Sequence, residues 1–169
     1  MKFALIAFLL MKAVVDTTLP EPQVSGVARN DHPEARPFVE TANAGADIDI
    51  ALASAAAKDD KVIVIMGANW CHDSRSLAGW LATPRFAEML GGQYQLVYID
   101  VGTPQTGKGR NLEIAKRFGI KKVKGTPLVM VLSADGRLLN SKKDAASWRN
   151  AASRNEQAIY DYFDRFTPA

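Results

Sequence analysis

From Ala46 onward the chain alternates between two hydrophobic rhythms. Ile48, Leu52 and Ala55-Ala56 recur at helical spacing up to Lys58 in an alanine-rich stretch, which predicts a helix. Asp59-Asp60 breaks that pattern. Val62 to Met66 is then an unbroken apolar, mainly β-branched run, as expected of a strand buried on both faces. Gly67-Ala68-Asn69 ends it, and after Trp70-Cys71-His72-Asp73-Ser74 the helical rhythm returns in Leu77, Trp80 and Leu81. Thr83-Pro84 reads as a cap and first-turn proline that restarts a helix through Phe86, Met89 and Leu90, stopped by Gly91-Gly92. Gln95 to Val101 predicts a second strand, and Gly102 to Arg110 a flexible glycine-rich loop. A helix through Leu112, Ile114, Ala115 and Phe118 follows, closed by Gly119. Leu128 to Leu132 predicts a third strand, Ala134-Asp135-Gly136 a turn, and Arg137-Leu138-Leu139 the return strand of a hairpin. The end reads as one helix, capped by Asp144 and carrying Trp148, Ala152, Ile159, Phe163 and Phe166.

This order of elements implies an α/β fold: a central mixed sheet with helices on both faces and an extra C-terminal helix. The domain is expected over residues 46–166. Residues 16–45, with Pro20, Pro22, Pro33 and Pro37 and no apolar period, read as a proline-rich linker or loosely attached arm. His32 lies in that arm between Asp31 and Pro33 and is expected to be exposed and without ligand partners. At the very start, Lys2 precedes nine apolar residues from Phe3 to Met11. That run is too short to span a bilayer, which takes about 20 residues, and matches the apolar core of a secretory signal. Residues 1–15 are therefore expected to be a signal peptide, with export to the bacterial periplasm; a cytoplasmic protein beginning with a short buried helix is the alternative.

Composition narrows the chemistry. The 169 residues are 47% hydrophobic and 23% charged, ordinary for a globular protein with a core of its own. One cysteine and two histidines exclude zinc-finger sites, paired-cysteine haem attachment and an internal disulfide framework. The formal charge of +3 is spread along the chain without an aromatic-interleaved basic stripe, so no nucleic-acid partner is expected. Much of the excess would leave with Lys2 and Lys12.

Cys71 directly follows a buried strand and opens a helix. A thiol in that position faces unpaired backbone N–H groups and the positive end of the helix dipole, both of which favour thiolate over thiol. Thiolate is the nucleophile in disulfide exchange. His72, if protonated, would add to this effect and Asp73 would oppose it. A buried, inert thiol is the plain alternative, and the polar turn around Cys71 argues against it.

The segment Gly67 to Ser74 resembles the W-C-x-x-C active-site segment of the thioredoxin superfamily, with serine in place of the second cysteine. Gly125-Thr126-Pro127 before a strand is similar to that family's cis-proline loop. The resemblance covers about residues 46–140. It implies a thioredoxin-like fold with the proline loop beside the nucleophile, and a substrate groove shaped by Trp70, Asp73, Thr126 and Pro127. It also implies Cys71 as nucleophile supported by His72, with Ser74 hydrogen-bonding the sulfur. Ser74 cannot attack a mixed disulfide, and Ile65 stands where thioredoxins carry a buried aspartate, so general dithiol reduction is not expected. Monothiol exchange remains: isomerase-like or deglutathionylating chemistry on protein disulfides or glutathione adducts, resolved by an external thiol. The alternative is a non-catalytic module that binds client or partner proteins. No metal and no organic cofactor is implied.

Other signals are weaker. Gly102 to Gly109 nearly spells a phosphate-binding loop, but Gly109 stands where a magnesium-binding Ser or Thr belongs. Lys116, Arg117, Lys121, Lys122 and Lys124 cluster before the proline loop and read chiefly as a solvated face, with attraction of acidic partners as the lesser reading. Trp80 and Trp148 are expected in the core, and the cluster of Tyr160, Tyr162, Phe163 and Phe166 is expected to pack on the sheet, with dimerisation as the lesser reading.

Overall fold

A computed structural model describes residues 32–40 and 42–167. The expected signal peptide, and the arm before residue 32, lie outside the described residues. Helix α1 spans Ala44–Lys58, strand β1 Lys61–Gly67, α2 His72–Leu81, α3 Pro84–Leu90 and β2 Tyr94–Asp100. A small ribbon of β3 (Gly102–Thr103) and β4 (Lys108–Gly109) precedes α4 (Leu112–Arg117). Strand β5 (Leu128–Leu132), α5 (Lys142–Ala146) and α6 (Glu156–Asp164) complete the chain.

The main sheet has the order β2-β1-β5. Strand β1 runs parallel to β2 and antiparallel to β5, pairing Ile65 with Tyr98 on one side and Val129 on the other. Val62 to Met66 are fully buried, as a central strand covered on both faces requires. The two-residue period of the strands divides their side chains between two cores. Ile63 and Ile65 join Val129 and Val131 against α2, α3 and α6, with Phe86, Trp148 and Phe163. Val62, Val64 and Met66 join Met130 and Leu132 against α1 and α4, with Ile48 and Ile114. The fold is therefore the expected mixed sheet between two helical layers.

Several local expectations change. The expected domain boundary at Ala46 falls inside α1, which begins at Ala44 with Asn43 as cap; its Oδ1 accepts from the Ala46 N–H at 3.1 Å. The arm from residue 32 on is seated on the domain, with Phe38 only 2% exposed in the core. Gly102 to Gly109 is a hairpin around a 3-10 turn at Pro104–Thr106, not an open loop. The return strand at Arg137–Leu139 is reduced to a bridge between Leu132 and Leu138. In its place the side chain of Asn140 pairs with β5: its Oδ1 accepts from the Val131 N–H at 2.9 Å and its Nδ2 donates to the Val129 carbonyl at 2.9 Å.

The C-terminal helix is broken. Ser141 caps α5, accepting from the Asp144 N–H, and a 3-10 segment at Ser147–Ser153 follows. Asn155 then caps α6. The break has a packing cause. On a straight helix Trp148 and Phe163 would stand about 22 Å apart along the axis. Here their rings stack with centroids 5.5 Å apart, and Tyr162 meets the indole edge-on at 4.7 Å.

Candidate functional site

Strand β1 ends at Gly67, and the turn Ala68-Asn69-Trp70 delivers Cys71 to the N-cap of α2. The turn is closed by the Cys71 N–H donating to the Ala68 carbonyl at 3.0 Å, and the Cys71 carbonyl accepts the first helical bond, from Arg75. Cys71 has extended backbone angles (φ −83°, ψ 119°) and its side chain caps nothing. The sulfur is thus left beside the open N–H groups of a ten-residue helix. Cys71 is 8% exposed.

Thr126 and Pro127, joined by a cis peptide bond, lie against it from the loop before β5. The Cys71 Sγ donates to the Thr126 carbonyl oxygen at 3.5 Å. Trp70 is 49% exposed, and its Nε1 donates to the Gly102 carbonyl at 2.9 Å. The β3–β4 ribbon therefore pins the indole at the rim. A cleft of about 340 Å³ opens beside Thr126, lined also by Pro104, Val123, Lys122 and Lys124, so its charged groups are both positive. It adjoins a larger hollow that shares Lys122 and Lys124 and adds Lys121, Lys142, Lys143 and Arg149. None of these six cations forms an ion pair among the described residues.

Three expected site residues turn elsewhere. Ser74 is fully buried with its Oγ unpartnered, and makes no bond to Cys71. Its hydroxyl faces the core: a Cβ at Gly67 would lie 2.6 Å from Ser74 Oγ and 2.7 Å from the Phe38 ring. Asp73 Oδ1 accepts from the Ala152 N–H at 2.9 Å, tying α2 to the 3-10 segment. His72 is exposed at the start of α2, with Nδ1 2.9 Å from Glu34 Oε1.

Sequence reasoning missed the arm's part in this arrangement. Arg75 Nε donates to Glu34 Oε2 at 2.9 Å, and that guanidinium, with His72, holds the Glu34 carboxyl below its ordinary range. Arg75 Nη1 also donates to the Asn69 and Trp70 carbonyls, clamping the turn before Cys71. The Ala35 N–H donates to the Arg75 carbonyl at 3.1 Å. Asn69 meets the Phe38 backbone twice, accepting from its N–H at 3.3 Å and donating to its carbonyl at 2.7 Å. His32, expected to be alone, lies with its ring centroid 4.9 Å from that of His72. No local pattern announces contacts that span 31 to 41 residues.

Comparison with known proteins shows the family. A family profile described as thioredoxin-like matches residues 43–134, more than half of the chain and including Cys71 and Thr126-Pro127. The solved structure of a disulphide isomerase from Xylella fastidiosa Temecula1 is 30% identical in sequence and superposes with a TM-score of 0.69, covering 78% of this chain and 96% of that one. A poplar thioredoxin h mutant is 19% identical over 80% of this chain and 96% of that one, with a TM-score of 0.44. A chloroplastic thioredoxin z is 22% identical over 64% and 89%, with a TM-score of 0.38. No curated protein sequence matches.

Proposed function

The chain belongs to the thioredoxin-like family, and from that premise we propose that it exchanges protein thiols and disulfides through the single sulfur of Cys71. One observation carries the reading: Cys71 sits at the N-cap of α2 with its sulfur against the Thr126 carbonyl beside Pro127. The sulfur stands at the N-terminus of α2, beside backbone N–H groups that have no intrahelical partner. Trp70 and the Thr126-Pro127 loop offer an apolar wall and a backbone edge to an extended client segment.

The reaction balances with one protein sulfur. The Cys71 thiolate attacks a client disulfide or a glutathione adduct; a new S–S bond forms to Cys71, the old one breaks, and the leaving sulfur departs as thiolate. Attack by a second client thiol then frees Cys71 and leaves a rearranged disulfide, with no net electron transfer. When glutathione or another external thiol resolves the intermediate, that thiol is left in a disulfide and the released group is reduced. Ser74 has no part in these steps, since its hydroxyl is turned to the core. An exported location suits the chemistry, because disulfides persist outside the cytoplasm, and the apolar run at Phe3 to Met11 is the observation behind it.

The test is incubation of the full chain with a glutathionylated peptide and with a scrambled-disulfide protein. A mass-resolved mixed disulfide at Cys71, and turnover that Cys71→Ala abolishes while the fold persists, is the expected result. A thiol that reacts only on unfolding would overturn it and leave a client-binding module.

A further inference from the structure

We propose that His32, Glu34 and His72 form a binding site for one divalent transition-metal cation of the zinc or copper class, at the edge of the Cys71 turn. The inference goes beyond thiol exchange and does not depend on it. The chain has only two histidines. The fold brings both together, their ring centroids 4.9 Å apart and their planes tilted by 51°. Donor atoms of His32, Glu34 and His72 all lie within 4.8 Å of one another.

A second observation is independent of that clustering. His32 Nδ1 is shut off from solvent and has no hydrogen-bond partner among the described residues. A buried lone pair or N–H left unpaired is costly, and a bound cation would remove the cost at a neutral imidazole. The arm holds the donors in place. His32 and Glu34 are two residues apart in an arm without regular secondary structure, and their donor atoms lie within 4.8 Å of each other. Pro33 between them is pressed onto α2 at Gly79, where a Cβ would come within 2.1 Å of the Pro33 carbonyl oxygen. His72 is the first residue of α2.

Donor type selects the metal. Two imidazoles and one carboxylate suit zinc, copper or nickel rather than magnesium or calcium, and three protein ligands leave a position open to water or another ligand. Arg75 acts on Glu34 from behind: Nε donates to Oε2 at 2.9 Å, while Nη2 reaches Oε1 at 3.3 Å. That contact orients the carboxylate as an outer partner does in metal sites, and its positive charge weakens the site. The bond from His72 Nδ1 to Glu34 Oε1, 2.9 Å long, gives way when the cation enters between the two donors.

The test is calorimetric titration of untagged full chain with Zn²⁺, and separately Cu²⁺, in a Cys71→Ala background so that the thiol cannot supply the site. At about pH 7.5 one equivalent is expected to bind with a roughly micromolar dissociation constant. His32→Ala and His72→Ala should each weaken it by at least about tenfold. His72 is exposed and His32 partly buried, and unchanged circular dichroism and unfolding midpoints verify that these variants fold. Zn²⁺ should also shift the ring resonances of both histidines together. Failure to bind below millimolar Zn²⁺, binding unchanged in His32→Ala, or Mg²⁺ binding as tightly would each overturn the proposal.

Discussion

Gly79 gives Pro33 its seat: the Pro33 carbonyl oxygen lies 2.1 Å from where a Cβ on Gly79 would stand. Backbone and helix surface can meet this closely only because residue 79 lacks a side chain. In an isolated helix Gly→Ala stabilises by about 1 kcal/mol, so the usual effect and the clash oppose each other. The clash wins, because the obstructing atom is backbone. Gly79→Ala is expected to lift residues 32–36 off α2 and to cost about 1–3 kcal/mol. Native-state cleavage after Glu34 by a glutamate-specific protease, slow in the parent and fast in the variant, checks it.

Asn140 takes the place of a missing strand. Its amide satisfies the Val131 N–H and the Val129 carbonyl, and its Nδ2 also donates to the Tyr162 hydroxyl at 2.8 Å, all in a site only 4% exposed. Asn140→Ala would orphan these groups together, at about 1–3 kcal/mol for each buried group left unpaired. A fall of about 3 kcal/mol in denaturant unfolding free energy is expected. A change under about 0.5 kcal/mol, the size of an ordinary surface substitution, would contradict this role.

Ser74 sits three residues after Cys71 in the first turn of α2. Helical geometry sets such Cα atoms about 5–6 Å apart, within disulfide range. Ser74→Cys is expected to oxidise readily to an internal disulfide, seen as loss of both free thiols and of two hydrogens in intact mass. The turned hydroxyl of Ser74 means its sulfur replacement must rotate away from Gly67 and Phe38. Two persistently free thiols under air and copper would show that the core holds that rotamer fixed.

Tyr94 and Tyr98 are held un-ionised well above the usual phenol value. Burial is the main cause for both, and the Asp164 charge adds to it at Tyr94. Tyr94 Oη also donates to the Phe163 carbonyl at 2.8 Å. With folded values raised, the native state keeps protons that the unfolded chain loses near pH 10, so stability is complete below about 10 and falls as pH rises past it. A spectrophotometric titration should leave these two phenols silent until the chain unfolds. Smooth ionisation of all four tyrosines near pH 10 with the fold intact would contradict it.

The outline of the fold was legible because strand and helix periods are local. Five consecutive fully buried residues from Val62 to Met66 could form little but a central strand. The place of Cys71 at the start of α2 was legible for the same reason, since the strand, the turn and the helix adjoin in the chain. The break near Asn150 was not legible. It is set by where Trp148 must go to meet Tyr162 and Phe163, and apolar spacing alone reads straight through it.

The sequence by itself determined the sheet's central strand, the helix that Cys71 opens and the loop that ends in Thr126-Pro127. Each of these is written in neighbouring residues through periodicity, capping and turn chemistry. Only the tertiary structure decided that Cys71 bonds Thr126 and Ser74 faces the core, and that Asn69 and Asn140 complete backbone pairing with side-chain amides. It alone brought His32 to His72. These are matters of packing: which way a side chain turns, and which distant segment it meets, depends on space left by the whole core and not on the residues beside it in the chain.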